Sequence, residues 1–279
     1  MWDISRLMLN ASQTLTVLGC GTMGEAIVRG LLRSGRLKPE QIFATDRRAE
    51  VVRALHERHG IRATSNNLEA CRAADVVVVC VKPHEVATVL NSDEMRPVLE
   101  KKLVISIAAG VRLEQLSSWI PGSHVIRAMP NTPCLIGEGM TVVARGPGVS
   151  DEQVKVATEI FSAVGRCVEA EDKLMDAVTS LNGSGPAFAY MILEALTDGG
   201  VRMGLRRDTA MEIAAQMFQG AARMVLQTGL HPAALKDQVT TPAGCTIAGL
   251  LTMEDGRIRS VLARAVEEAA HVASKLGQS

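Results

Sequence analysis

The chain has 279 residues, with 30 lysines plus arginines against 30 aspartates plus glutamates, and few aromatic side chains: two tryptophans, one tyrosine and four phenylalanines. Without a cationic surplus to release counterions or rings to stack on bases, nucleic acid is not an expected partner. The length suffices for two ordinary domains, each with its own core. In chain order, TLTVLG reads as a first strand, followed by a glycine-rich turn and a helix over Glu25–Arg33. QIFATD is a second strand, and RRAEVVRALHERHG has helical spacing with a glycine stop. DVVVVCV is apolar on both faces from Val76 to Val81, as a central parallel strand should be. KLVISIA and HVIRAM complete the strand signals, and Asp151–Val164 reads as a helix that could serve either domain. After about Glu171 only helical patterns remain, at Ala187–Met203, Thr209–Thr228 and Ile258–Leu276, and the stretch Leu181-Asn182-Gly183-Ser184-Gly185-Pro186-Ala187 breaks them. The expected fold is α/β: a doubly wound parallel sheet over residues 1–170, then an all-helical domain over 171–279.

Gly19-Cys20-Gly21-Thr22-Met23-Gly24 lies between the first strand and its helix. The motif alone is a weak signal, but strand, turn, helix and next strand follow in order within about thirty residues, which points to a Rossmann-like dinucleotide site. Its glycines let a pyrophosphate approach the helix N-terminus. At the end of the second strand Asp46 would accept a ribose 2′-hydroxyl and favour NAD, whereas Arg47 and Arg48 would favour the 2′-phosphate of NADP; the preference stays open. Val81-Lys82-Pro83, Ala108-Ala109-Gly110 and Met129-Pro130-Asn131-Thr132-Pro133 each follow a strand, where open α/β sheets bind ligands. Lys82 would pair with a cofactor phosphate or hydrogen-bond its ribose, or else is a solvated loop lysine. The glycines of Leu181–Ala187 either permit tight packing or lie beneath the nicotinamide and the substrate.

The inventory of strong catalysts is thin. The histidines at 56, 59, 84, 124, 231 and 271 have no metal-ligand spacing, and no G-x-S-x-G elbow occurs. No metal is expected. The cysteines at 20, 71, 80, 134, 167 and 245 form no C-x-x-C pair, which suits a reduced, intracellular chain. The N-terminal MWDISRLMLNASQTLTVLG lacks a long apolar core, and Val76–Val81 is too short to span a bilayer, so a soluble, cytoplasmic protein without a membrane partner is expected.

The stretch TTPAGCTIAGL, Thr240–Leu250, combines small residues and hydroxyls with an apolar run that reads as a helix start. Helix amides left uncovered there form a site for an anion.

Taken together, VLGCGTMGEAI, CVKP, SIAAGV, RAMPNTP, LNGSGPAF, LKDQVTTPAGCTIAGL and AVEEAA resemble the pyrroline-5-carboxylate reductases over nearly the whole chain. The resemblance implies reduction of the cyclic imine 1-pyrroline-5-carboxylate to L-proline with NADPH or NADH, the last step of proline biosynthesis. Gly19 to Gly24, Asp46, Asn67, Val81, Lys82, Pro83, Ala108, Ala109 and Asn131 match the family's cofactor positions, with Arg47 beside them. Thr241, Gly244, Cys245 and Thr246 match its substrate-carboxylate loop, the Thr246 hydroxyl matching the group near the ring nitrogen. It also implies a dimer of interleaved helices, assembly into a ring of dimers (a decamer in the family) and a site completed by a neighbouring subunit. A cyclic imine takes a proton from water near neutral pH and then accepts hydride, so such a chain mainly has to align the reactants.

Where the family has two consecutive glycines this chain has Ala243-Gly244, a departure that strains the loop if the first position needs positive φ. A β-hydroxyacid dehydrogenase shares the opening motif and helical second domain, but its central-helix lysine has no counterpart between Lys173 and Lys236. The other rival is a dinucleotide-sensing subunit without turnover, in which the carboxylate loop would have no purpose.

Overall fold

The computed structural model describes residues 13–276; the leader reading rests partly on residues outside that range. Its strands are β1 (Leu15–Leu18), β2 (Ile42–Thr45), β3 (Arg62–Thr64), β4 (Val76–Val79), β5 (Leu103–Ser106), β6 (His124–Met129), β7 (Gly139–Arg145) and β8 (Gly165–Glu169). They form one sheet in the order β3-β2-β1-β4-β5-β6-β7-β8. The strands from β3 across to β6 are parallel; β7 runs back against β6, and β8 is parallel to β7. The sheet is therefore parallel in its dinucleotide-binding half and mixed at the far edge.

The five expected strands are present, β6 at its full expected length and the other four trimmed by a residue or two at their ends. Three more were not expected. β3 is a three-residue edge strand with an exposed first residue, and β8 alternates half-buried with exposed side chains. Neither contains enough apolar residues to announce itself, and their pairing with β2 and β7 holds them extended.

Helices α1 (Thr22–Arg33), α2 (Ala49–His59), α3 (Asn67–Arg72), α4 (Pro83–Leu90), α5 (Met95–Leu99), α6 (Leu113–Trp119) and α7 (Asp151–Ser162) cover both faces of the sheet. Alternation along β4 sends Val76 and Val78 into one core with Ile27 and Leu31 of α1 and Phe161 of α7. Val77 and Val79 enter the other, with Val86 and Leu90 of α4, Leu99 and Leu116. Two covered faces are why this strand is valine throughout. Gly60, in the left-handed region at φ 66°, ends α2 as its glycine stop predicts.

No strand follows Glu169 among the described residues. The two compact units part later, between Gly183 and Ser184, and the chain returns to the first unit at Ala269. The intervening segment stays with the sheet because Met175 in α8 (Met175–Val178) is fully buried in the second core. Arg127 of β6, only 3% exposed, also pairs there with Asp172 at 3.1 Å and Asp176 at 3.7 Å.

The expected helix break at Leu181–Ala187 is not a break. The chain continues from α8 as a π-helical segment, Thr179–Ser184, straight into α9 (Gly185–Arg202). Pro186 sits in the first turn of α9, directly after the π-helical segment.

The second unit contains α9, α10 (Arg207–Thr228), α11 (Pro232–Gln238), α12 (Cys245–Asp255) and most of α13 (Ile258–Leu276). Gly200 of α9 lies so close to Ala210 of α10 that a Cβ there would come within 3.0 Å of the alanine methyl. Yet Tyr190, Met191, Met203, Met211 and Ile213 all leave more than half of their surface uncovered. Apolar exposure on this scale marks an interaction face.

Candidate active site

Within the first unit a cavity of about 580 Å³ opens at the carboxyl ends of β1, β2 and β4, and Gly19, Gly21, Asp46, Asn67, Val81 and Lys82 are among its walls. The three glycines of the β1–α1 turn do different work. Gly19 has φ +79°, and a Cβ there would come within 3.0 Å of the Val81 backbone nitrogen. Above Gly21 nothing lies within 4 Å, whereas a Cβ on Gly24 would stand 3.1 Å from the Gly19 carbonyl oxygen. Positive φ, open approach and close helix packing are the three demands of a pyrophosphate-binding turn. Gly21 caps α1 without a side chain, so the first helical amides remain available to an anion. The residues present fit a dinucleotide.

Next to this turn the Thr45 hydroxyl donates to Asn67 Oδ1 at 2.7 Å and accepts the Gly19 N–H at 3.3 Å. Thr45 therefore ties the phosphate turn to Asn67. Sequence reasoning expected the strand end Thr45–Arg48 to meet the adenosine ribose but did not foresee this tie.

The charges after β2 are already paired. Arg48 binds Asp46 with two parallel hydrogen bonds, Nε to Oδ1 at 2.9 Å and Nη2 to Oδ2 at 3.0 Å, and its backbone N–H adds a third at 3.0 Å. The Arg48 guanidinium beside Asp46 holds that carboxyl below the usual aspartate range. Arg47 reaches across to α4 and meets Glu85 Oε1 at 3.0 Å. Lys82 is the exposed N-cap of α4, and its N–H donates to Glu85 Oε2 at 3.3 Å. Arg48, expected here for a 2′-phosphate, also lines the cavity, as do His84, Glu85 and Thr88, which were not among the expected cofactor residues.

The other expected residues of this unit lie around the cavity rather than in its walls. Cys20 is 1% exposed, and burial pushes its thiol up to about 12. Thr22 and Met23 form the first turn of α1, exposed and half-buried, and Pro83 opens α4. Ala108, buried beyond the end of β5, donates its N–H to Ser106 Oγ at 3.3 Å, and Ala109 beside it is half-buried. Asn131 follows β6 with its side chain engaged on both sides: Oδ1 accepts the Met140 N–H at 2.9 Å, and Nδ2 donates to Asn182 Oδ1 at 3.0 Å. Among the described residues no three histidine, cysteine or acidic side chains are grouped to hold a metal, and no helix is long and apolar enough to cross a membrane.

In the second unit, Thr241, Gly244, Cys245 and Thr246 stand together at the entrance of α12. Gly244 is its N-cap and supplies no side-chain acceptor, so the first-turn amides lack a cap. The Gly244 N–H bonds back to the Thr241 carbonyl at 3.1 Å, which curls the loop. Thr241 and Cys245 are exposed and Thr246 is half-buried. Thr240, by contrast, turns its hydroxyl onto the Lys236 carbonyl at 2.7 Å and serves the end of α11. Ala243 has φ +57°, so the position after the proline does demand the left-handed region.

A family profile described as pyrroline-5-carboxylate reductase dimerisation matches residues 172–276, and another, described as NADP oxidoreductase coenzyme F420-dependent, matches residues 14–110. Pyrroline-5-carboxylate reductases of Methanosarcina acetivorans and Glycine max are 41% and 42% identical to the chain, covering 96% and 93% of it and 99% and 94% of their own lengths. Among solved structures, the Coxiella burnetii pyrroline-5-carboxylate reductase superposes with a TM-score of 0.91 at 33% identity, over 96% of this chain and 100% of that one. The Plasmodium falciparum pyrroline carboxylate reductase, solved with NADP bound, gives a TM-score of 0.85 at 31% identity over 97% and 99% of the two chains. The chain belongs to the pyrroline-5-carboxylate reductase family.

Proposed function

We propose that the chain reduces the C=N bond of 1-pyrroline-5-carboxylate with a reduced nicotinamide dinucleotide, giving L-proline in the last step of its biosynthesis. The observation that carries the substrate assignment is the entrance of α12, where backbone amides without a cap stand beside the hydroxyls of Thr241 and Thr246. Family membership disfavours the β-hydroxyacid dehydrogenase reading, which already lacked its lysine, and the sensor reading, which left this loop idle.

In this proposal Thr241, Gly244 and Cys245 hold the substrate carboxylate, and the amides with the dipole of α12 supply the positive field. Thr246 is the catalytic residue: its hydroxyl orients the ring nitrogen and relays its proton. Gly19 to Gly24 cradle the pyrophosphate, Asn67, Val81, Lys82 and Pro83 the adenosine half, and Ala108, Ala109 and Asn131 the nicotinamide side. When bound, the reduced coenzyme supplies a hydride to the electrophilic ring carbon. The protein's remaining task is alignment, which needs no strong acid or nucleophile.

NADPH is the proposed coenzyme. Asp46 is engaged by Arg48 and so is a poor acceptor for a free 2′-hydroxyl, while Arg47, with its side chain 85% exposed, is placed to meet a 2′-phosphate. Residues 1–170 are assigned to dinucleotide binding and 171–279 to substrate binding and dimerisation. The uncovered face of α9 and α10 supports a homodimer, and rings of dimers follow from family likeness. A cytoplasmic setting fits the six cysteines, all free thiols.

The experiment is Thr246→Ala in steady-state assays with NADPH and 1-pyrroline-5-carboxylate. The expected result is a fall in kcat/KM of about tenfold or more with an unchanged melting temperature. Turnover at the wild-type rate would remove Thr246 from the site.

A further inference from the structure

The cavity of the first unit holds five ordinarily charged side chains apart from His84. Arg47, Arg48 and Lys82 face Asp46 and Glu85, leaving one positive charge in excess. Neither arginine is idle. Arg48 is closed onto Asp46 by two parallel bonds, and Arg47 spans from the β2–α2 connection to Glu85 Oε1 on α4 at 3.0 Å. The two pairs differ in exposure. The Asp46 carboxylate is 7% exposed beneath its partner, whereas the Arg47 guanidinium is at the surface and Glu85 is 29% exposed. The pair on Asp46 is fixed by geometry; the pair on Glu85 is the one a competing anion would open.

We infer that Glu85 is a specificity-determining residue for the coenzyme: its carboxylate competes with a ribose 2′-phosphate for Arg47 and so restrains the preference for the phosphorylated dinucleotide. This inference rests on reading the cavity as the adenosine site. A 2′-phosphate offers Arg47 a more highly charged acceptor than Glu85 does, but to use it the arginine must leave a carboxylate that stays nearby and repels the newcomer. A free 2′-hydroxyl raises no such conflict, so the charge on Glu85 weighs on one coenzyme and not on the other. The residue is retained for a second duty. Oε2 accepts the Lys82 N–H at 3.3 Å in the capping box of α4, and glutamine fills that role equally well. Charge and cap are therefore separable by one isosteric substitution.

The test compares the full-length protein with its Glu85→Gln variant by titration calorimetry, using adenosine 2′,5′-bisphosphate and AMP as probes, which reads binding without turnover. The expected result is about three- to fivefold tighter binding of the bisphosphate, as for an exposed charge pair, with AMP unchanged within about twofold. The gain should shrink in high salt and vanish when Arg47→Ala is added. An equal gain for both nucleotides, no gain, weaker binding of the bisphosphate, or a gain that survives without Arg47 would each overturn the inference while leaving the cavity assignment standing. Failure of the unsubstituted protein to bind either nucleotide would overturn both.

Discussion

Asn182 and Asn131 meet side chain to side chain at 3.0 Å, and Asn182 also donates to the carbonyl oxygens of Met129, at 2.7 Å, and Met140, at 3.0 Å. One amide on the π-helical segment thus pins the end of β6 to the start of β7. The wider π turn, a rare element that occurs frequently at functional sites, delivers Asn182 to those carbonyls. Replacing Asn182 by alanine removes three hydrogen bonds at once. The predicted loss is about 1–3 kcal/mol of unfolding free energy, measured by urea titration, with aspartate no better because it has no N–H to donate.

Ala243 sits at φ +57° in the loop assigned to the substrate carboxylate. An alanine there carries a penalty of about 1 kcal/mol, which glycine removes while adding freedom to the unfolded chain. Ala243→Gly is therefore predicted to change stability by less than about 1 kcal/mol. Ala243→Val is predicted to destabilise by more than about 1 kcal/mol and to raise the KM for the imine, because a β-branched residue resists this conformation. Denaturation at one fixed protein concentration checks the first effect and initial rates the second.

Below neutrality the Asp46–Arg48 pair contributes a predictable slope. The carboxyl is held below its ordinary value chiefly by the hydrogen bonds from Arg48, so the unfolded chain binds the proton more readily. The contribution is complete above the ordinary aspartate pKa of about 3.9 and is lost as the pH falls through the lowered folded value. Urea midpoints of wild type and Asp46→Asn are predicted to differ at pH 7 by the equivalent of about 1 kcal/mol or less, and to converge below about pH 4. A gap that widens in acid would reverse the sign argued here.

Much of this architecture was legible from local signals. The valines of β4 announce a strand covered on both faces, the Gly60 stop ends α2, and Ile258–Leu276 is a helix over its full expected length. What stayed hidden depends on partners distant in the chain. Glu85 is 38 residues from Arg47, so the bridge between them cannot be read from the motif after β2. The π-helical segment was hidden for a different reason: two glycines and a proline read as a break, and only the bonds from Asn182 to Met129 and Met140 show why the helix widens instead.

Cysteine reactivity distinguishes the two proposed subsites. Cys245 is exposed at the start of α12, whereas burial raises the thiols of Cys20 and Cys71 to about 12. Iodoacetamide at pH 8 is predicted to alkylate Cys245 and spare Cys20 and Cys71, as read by peptide mass spectrometry. If the loop holds the substrate, alkylation abolishes turnover and L-proline slows it.

The most direct measurement follows the hydride itself. NADPH carrying deuterium at the transferable position of its nicotinamide is incubated with the enzyme and 1-pyrroline-5-carboxylate, and the product is read by mass spectrometry and NMR. The account predicts L-proline with one deuterium on the ring carbon beside nitrogen, C5, formed in step with coenzyme oxidation. Proline without the label, or oxidation of the coenzyme without proline, would contradict it.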